Sequence, residues 1–174
     1  SGPFVTNLSS SRAIDIVAAR HGHSVFRSAV GEINVVEEMK RTGAVIGGEG
    51  NGGVILPDLH YGRDALIGVA LIVQHLTDQG NALSELLRDL PKLQMVKLKT
   101  DIGDLDPDEV LLRMANRYRN ERISTIDGVK IDFDEGWVHL RKSNTEPIIR
   151  VYAEALSEEG TTALAHRFMT ELLA

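Results

Sequence analysis

The sequence predicts an α/β protein in which a layered αβα domain is followed by a small α+β domain with an antiparallel sheet. In the first half of the chain, short apolar runs alternate with helical patterns, an order typical of layered α/β domains. In the second half, several short strands follow one another with turn residues between them, and helices flank the group. We place the two domains at residues 1–91 and 92–174, with Lys92 and its neighbours as the linker.

Three strands and four helices are predicted in the first domain. The strands are short apolar runs, as in buried parallel sheets, and they cover residues 4–8, 25–30 and 44–46. The helices show apolar residues at helical spacing or capping residues at their ends, and they cover residues 12–21, 33–41, 64–79 and 81–90. Candidate capping residues at the start of the first helix are Ser9, Ser10 and Ser11. At the start of the third helix, Asp64 is expected to interact with the helix dipole. The third helix carries a strong apolar stripe of Leu66, Val69, Val73 and Leu76.

The second domain is predicted to combine two helices with four or five strands. The strands are separated by turn residues and cover residues 93–98, 123–126, 129–133, 137–142 and 148–155. Asp127-Gly128 is a typical hairpin turn between the second and third of these strands. Asp106-Pro107 begins a helix that runs to about residue 119, and a closing helix covers residues 157–173.

Composition and charge exclude several functional classes. The 174 residues are 43% hydrophobic and 25% charged, which excludes a disordered chain. The sequence has no cysteine, so disulfide scaffolds, cysteine–zinc sites and cysteine nucleophiles are excluded. The net charge of -6 disfavours nucleic acid and acidic membranes as partners, so an anionic ligand must be met by local positive charge. Because no apolar run reaches ~18 residues and no signal peptide is visible, we expect a cytoplasmic protein without a membrane partner.

The strongest functional signal is a polar loop between the last two strands. Two arginines, two hydroxyls and an amide crowd this segment, namely Arg141, Ser143, Asn144, Thr145 and Arg150. Phosphate recognition uses this inventory, because guanidinium forks, hydroxyl donors and turn amides can surround three anionic oxygens. The alternative is a polar hairpin with an incidental ion pair.

The second signal is a glycine-rich loop at residues 47–53, directly after a buried strand. Its glycines formally satisfy the dinucleotide pattern, but residues 54–57 cannot form the first helical turn which that pattern requires. The loop instead presents Glu49 and Asn51 at a strand's C-terminal end, where open α/β sheets bind ligands. A carboxylate and an amide among glycines suit the hydroxyl groups of a sugar. The alternative is a structural turn with a solvated glutamate.

An acidic cluster in the second half resembles a metal loop at first sight. Its members are Asp101, Asp104, Asp106, Asp108 and Glu109. The cluster lacks the residue spacing and the central glycine of a calcium loop. Helix capping by Asp106 and a solvated acidic turn explain it better. No pair of histidines shows the spacing of a zinc site, so no metal site is predicted.

Together these motifs resemble those of a known family, the α-D-phosphohexomutases. The segment RKSNTEP at residues 141–147, with IRVYAE at 149–154, resembles the family's C-terminal phosphate-binding loop. Residues 48–52 resemble the sugar-binding loop of its third domain, and residues 30–39 resemble the segment that precedes that loop. Residues 6–11 resemble the start of the third domain.

The resemblance implies a role for each group of residues. Phosphate binding is expected from Arg141, Ser143, Asn144, Thr145 and Arg150. Sugar binding is expected from Glu49, Asn51 and Glu32, and Glu49 is expected to accept sugar hydroxyls rather than to act as a general base. The form of the sugar loop is similar to a branch of phosphoglucosamine mutases and of phosphomannomutases/phosphoglucomutases. The implied substrate is therefore glucosamine, mannose or glucose phosphate.

The family has four domains, and this chain resembles only the third and fourth. The Ser-His-Asn-Pro context of the family's catalytic phosphoserine and its Asp-Gly-Asp-x-Asp-Arg magnesium loop occur nowhere in the sequence. We therefore expect a C-terminal fragment with no catalytic or metal-binding residue of its own, inactive without the N-terminal domains. The full-length enzyme would use Mg²⁺ and a hexose bisphosphate intermediate to interconvert hexose 1-phosphate and 6-phosphate.

Two other functions are compatible with the same residues. The chain can be a stand-alone, non-catalytic module that binds phosphorylated sugars. It can also be an interaction domain whose loops no longer bind a ligand. A reading frame that continues upstream through a serine loop and an aspartate loop would show that the chain is part of a mutase and not a stand-alone module.

Overall fold

The computed structural model describes residues 1–80, 82–143 and 146–174. The chain divides into two compact units, Ser1–Lys92 and Leu93–Ala174. The first unit has a mixed, mainly parallel sheet and the second has an antiparallel sheet, so the predicted α/β fold class is confirmed. Along the part of the chain that the structure describes, no helix combines the length and the apolarity needed to cross a membrane.

The first unit contains a four-stranded sheet in the order β2-β1-β3-β4. Its elements, in chain order, are β1 (Phe4–Asn7), α1 (Ala13–Arg20), β2 (Val25–Ser28), α2 (Glu32–Thr42), β3 (Ile46–Gly48), β4 (Val54–Ile55), α3 (Ala65–Gln79) and α4 (Leu83–Asp89). Strand β1 pairs in parallel with both β2 and β3, and β4 runs antiparallel to β3. The carboxyl ends of β1, β2 and β3 therefore lie along one edge of the sheet.

The third strand begins two residues later than predicted. Ala44 is buried and its N–H ends α2 by donating to the carbonyl of Met39, so it does not belong to the sheet. Gly47 takes the central position of β3, where a Cβ would overlap the sulfur of Met39. An apolar run indicates that residues are buried, but pairing with the neighbouring strand decides where a strand begins. Strand β4 was not predicted, because two residues are too few for a periodic pattern.

Helix α2 supplies half of the residues in the first unit's core cluster. Its buried face packs on the sheet, in a cluster formed by Val5, Val35, Val36, Met39, Ala44 and Ile55. Helix α3 behaves differently, because none of its residues is buried. The exposed fraction of its predicted apolar stripe reaches 81% at Leu66, 61% at Val69 and 55% at Val73. The periodicity of α3 correctly predicted a helix, but not that its stripe lies exposed.

The second unit packs two helices on one face of a five-stranded antiparallel sheet. Its elements are β5 (Gln94–Asp101), α5 (Pro107–Arg117), β6 (Arg122–Ser124), β7 (Val129–Asp132), β8 (Gly136–Lys142), β9 (Ile148–Ala155) and α6 (Glu158–Leu173). The strand order is β5-β9-β8-β7-β6. Alternate strand residues join α5 and α6 in one core; among them are Val138, Leu140, Val151, Met114 and Phe168. Trp137, His139 and Arg141 alternate with Val138 and Leu140 along β8, so they lie on the opposite face.

Candidate functional site

The predicted phosphate loop connects β8 to β9. Arg141 and Arg150 are directly opposed register partners on these two strands, so both side chains project from the same face of the sheet. The Ser143 N–H donates to the Ile148 carbonyl at 3.0 Å and closes the base of the loop. The predicted site residues Asn144 and Thr145 lie outside the described residues. Two opposed cations destabilise a sheet unless an anion neutralises them, so this geometry favours an anion at the loop.

Arg141 is held by the turn that precedes β7. Its Nε atom lies 2.9 Å from Asp127 Oδ2. The Nε–H group of Arg141 is not aligned well enough to donate a hydrogen bond to Asp127, so the contact is an ion pair. The Arg141 side chain is 20% exposed. The pair fixes the Nε side of the guanidinium group. Within residues 1–80, 82–143 and 146–174 its two terminal nitrogens have no hydrogen-bond partner, so they can donate to a ligand. The sequence showed Asp127 only as a turn residue, and no local signal indicated its pairing with Arg141.

His139 in turn supports Asp127. Its Nε2 atom lies 2.6 Å from the Asp127 carbonyl oxygen, and the residue is only 1% exposed. Burial lowers the pKa of His139 to about 4, so the ring is neutral at physiological pH. Since a carbonyl oxygen only accepts hydrogen bonds, Nε2 carries the proton and donates it. His139 therefore anchors the turn without adding charge beside the arginines.

In the first unit, Glu49 directly follows β3 and its side chain is only 5% exposed. Its Oε1 atom accepts hydrogen bonds from Asn7 Nδ2 at 2.9 Å and from the Gly31 N–H at 3.0 Å. Its Oε2 atom lies 3.6 Å from Arg63 Nη1. The Oε1 atom therefore stabilises the fold through these two hydrogen bonds. The other lies beside Arg63, where a ligand hydroxyl can compete for it.

Glu32 and Arg63 form the second carboxylate–guanidinium pair of this edge. Arg63 donates from its backbone N–H to Glu32 Oε1 at 3.1 Å and from Nε to Oε2 at 2.8 Å. These two hydrogen bonds lower the pKa of Glu32, which stays ionised at neutral pH. The Glu32 side chain is 38% exposed, so it is open to a ligand. Arg63 thus links Glu32 to Glu49, a role that the sequence did not indicate.

The remaining predicted sugar-binding residue, Asn51, is exposed at the tip of the glycine loop. Its Oδ1 atom accepts a hydrogen bond from the Gly53 N–H at 3.2 Å. The loop is closed by the Glu49 N–H, which donates to the Gly53 carbonyl at 3.0 Å. The structure therefore brings Glu32, Glu49 and Asn51 to one region of the first unit.

A buried polar network orients Asn7 toward Glu49. Asn7 Oδ1 accepts from the Ser9 N–H and from Ser10 Oγ, each at 3.0 Å, and Ser10 Oγ accepts from Thr6 Oγ1 at 2.6 Å. Ser9 and Ser10 were predicted as helix caps, and this prediction is wrong, because Arg12 takes the N-cap position of α1. Ser11 reaches the helix, where its Oγ accepts from the Ala13 N–H at 3.0 Å. Asn7 could have been identified as a candidate site residue from the polar residues that follow one another at the end of a buried strand.

The predicted acidic cluster serves a helix. Asp106 accepts hydrogen bonds from the N–H groups of Asp108 at 2.7 Å and Glu109 at 3.3 Å, which confirms its capping role at α5. Asp64 caps α3 in the same way. Within residues 1–80, 82–143 and 146–174, no group of three or more histidines or acidic residues can hold a metal ion.

Comparison with known proteins gives matches along nearly the whole chain. Residues 1–93 match the family model described as phosphoglucomutase/phosphomannomutase, alpha/beta/alpha domain III, and residues 85–171 match the C-terminal domain of the same family. A phosphoglucomutase/phosphomannomutase of Thermococcus kodakarensis is 41% identical over 160 residues, which are 91% of this chain and 35% of that protein. A probable phosphoglucosamine mutase of Methanopyrus kandleri is 37% identical over 170 residues, which are 97% of this chain and 38% of that protein.

The solved structures give the same result for the fold. A phosphoglucomutase/phosphomannomutase family protein from Burkholderia thailandensis superposes with a TM-score of 0.80 at 23% identity, over 99% of this chain and 37% of that one. The chain therefore spans little more than a third of the length of the relatives that it matches.

Proposed function

Since the chain belongs to the phosphoglucomutase/phosphomannomutase family and matches its third and C-terminal domains, we propose that it binds a phosphorylated hexose within a phosphohexose mutase. The observation that carries this proposal is the opposed pair Arg141 and Arg150 at the base of the loop, with Arg141 held by Asp127. Such a pair is stable when an anion lies between the guanidinium groups. A phosphate ester supplies that anion.

The two units have separate tasks in this proposal. In the second unit, Arg141, Ser143, Asn144, Thr145 and Arg150 hold the phosphate that is not reacting. In the first unit, Glu32, Glu49 and Asn51 meet the sugar hydroxyls. Both tasks position the substrate and break no bond, so they contribute to catalysis by fixing the reacting group. One structural neighbour supports this ligand class: an Aspergillus fumigatus N-acetylphosphoglucosamine mutase in complex with GlcNAc-6P and magnesium.

The reaction of the whole enzyme is part of the proposal. In the family, a phosphoserine donates its phosphate to a hexose phosphate, and the resulting bisphosphate turns around and returns its other phosphate to the serine. Magnesium belongs to that chemistry, but the described residues of this chain offer no site that fits it. The N-terminal domains are therefore the proposed partners. We also propose a cytoplasmic location, because charged sugar phosphates do not cross membranes.

The purified chain is expected to bind hexose phosphates without converting them. The sequence carries neither the phosphoserine context nor the aspartate loop of the family, so the chain has no group to transfer. A coupled assay with hexose 1-phosphate, a hexose bisphosphate and magnesium should show no turnover, while calorimetry with the same sugar phosphate should show weak, salt-sensitive binding. Turnover that scales with the chain through repeated purification would contradict the prediction.

A Glu49→Gln variant is expected to keep the fold and to weaken binding of hexose 1-phosphate and 6-phosphate alike, by about tenfold. The amide oxygen can still accept from Asn7 and Gly31, as Oε1 does now. The variant loses the charged Oε2 that we assign to a sugar hydroxyl. Calorimetry with both esters measures the effect. A Glu38→Gln variant is the matched control, because Glu38 also pairs with an arginine but lies on α2, outside the glycine loop.

Two results would contradict the prediction for Glu49. Unchanged affinity for both esters would mean that Glu49 only holds Asn7 and Gly31. A loss for one ester alone would mean that the carboxylate does not serve both orientations of the sugar.

A further inference from the structure

A third cation continues the arginine pair across the sheet. Lys99 on β5 is the register partner of Arg150 on β9, and Arg150 is the register partner of Arg141 on β8. Directly opposed residues of antiparallel strands project to the same face. Three positive side chains therefore stand in one row across three adjacent strands. Nothing in the loop motif points to Lys99, which lies 42 positions before Arg141 in the chain.

The row lies on the face of the sheet that is turned away from the helices. The next row consists of Leu98, Val151 and Leu140, which pack in the helix-covered core. Because side chains alternate along a strand, the cations of the neighbouring row project to the other side. Lys99 and Arg150 are both exposed there. The row is thus accessible to a ligand from outside the sheet.

Within the described residues, this row of three cations makes a single ion pair. The one acidic partner is Asp127, which pairs with Arg141. Within residues 1–80, 82–143 and 146–174, neither Lys99 nor Arg150 makes an ion pair or a side-chain hydrogen bond. Like charges at directly opposed positions destabilise a sheet. Of the described carboxylates, only that of Asp127 makes an ion pair with a cation of this row.

We propose that Lys99 is a third cationic ligand of the phosphate group that Arg141 and Arg150 bind, an inference that rests on the proposed function. Adjacent strands lie about 4.8 Å apart, a distance that the flexible four-carbon stem of a lysine can cross. The two guanidinium forks orient the phosphate oxygens, whereas the ammonium group adds a point charge. Lys99 therefore makes the site select a dianion over a monoanion.

The test is calorimetric titration of the chain with glucose 6-phosphate and with glucose 6-sulfate at about pH 8, above the second phosphate pKa of about 6. Lys99→Met is expected to weaken the phosphate ester about fivefold and the sulfate ester less than twofold. Lys99→Arg should retain the wild-type preference. Lys142→Met is the matched control, because Lys142 is an exposed lysine beside the same loop but pairs with Asp108 at 2.7 Å on the helix-covered face. It should change neither affinity.

Each other outcome has a definite meaning. If Lys99→Met leaves both affinities unchanged while Arg141→Ala removes binding, the proposal for Lys99 is wrong and the proposed function stands. An equal loss for both esters would show that Lys99 acts only through general surface charge, which also overturns the proposal. If the wild-type chain binds neither ester, the proposed function fails and the role of Lys99 fails with it.

Discussion

Replacing Arg141 by alanine is expected to weaken sugar-phosphate binding about a hundredfold or more, and to leave the fold intact. A guanidinium can donate two charge-assisted hydrogen bonds to one phosphate, each worth about 1.5–3 kcal/mol. The substitution also leaves the Asp127 carboxylate without its partner, 2.9 Å from the position where the cation was. That charge then repels the phosphate. Both effects act in the same direction, so this variant should show the largest loss of affinity.

Calorimetry with glucose 6-phosphate measures this loss of affinity. Two further variants test whether the loss is due to the guanidinium group of Arg141 or to the removal of any positive charge. Arg141→Lys keeps the charge but not the fork, so it should recover only part of the affinity. Lys142→Ala removes a cation next along the chain on the opposite face of the sheet, and it should bind as the wild type does. Equal binding by Arg141→Ala and wild type, both folded by circular dichroism, would remove the basis of the proposed function.

Gly128→Ala is expected to destabilise the second unit by about 3 kcal/mol or more. Gly128 has a φ of 71°, a left-handed conformation that costs energy for any residue with a Cβ. The new Cβ would also overlap the carbonyl oxygen of Leu140 and lie 3.2 Å from the Arg141 Cα. These are backbone atoms of a central strand, so they cannot move aside. The turn must shift, and Asp127 shifts with it.

Denaturant unfolding can measure this loss in the second unit alone. The chain has one tryptophan, and Trp137 is 1% exposed on β8, so its fluorescence reports on that unit. Gly103→Ala is the matched control, because Gly103 lies in the same unit with a φ of 56° but has open space around its Cβ position. It should cost only about 1 kcal/mol, the cost of the left-handed backbone. A Gly128→Ala variant as stable as Gly103→Ala would mean that the turn does not pack on β8 as described.

The contiguous parts of the candidate site could be proposed from the sequence. The predicted phosphate loop is a run of neighbouring residues whose donors already suit one ligand, and Glu49 is marked by the glycines on either side of it. Helices and strands of ordinary length also followed from local periodicity. Strand Ile148–Ala155 has the predicted bounds, and Asp106 caps α5 as predicted. These features depend on residues within one or two turns of each other.

The partners of those residues were decided by the tertiary structure. Asn7 reaches Glu49 across 42 positions, Arg63 reaches Glu32 across 31, and Lys99 meets Arg150 only through the pairing of β5 with β9. Parallel strands β1 and β3 bring their carboxyl ends together, and antiparallel register sets which cations share a row. Such contacts depend on which strands pair and in what register. The local sequence pattern does not encode that choice, because the same alternation of polar and apolar residues fits many pairings.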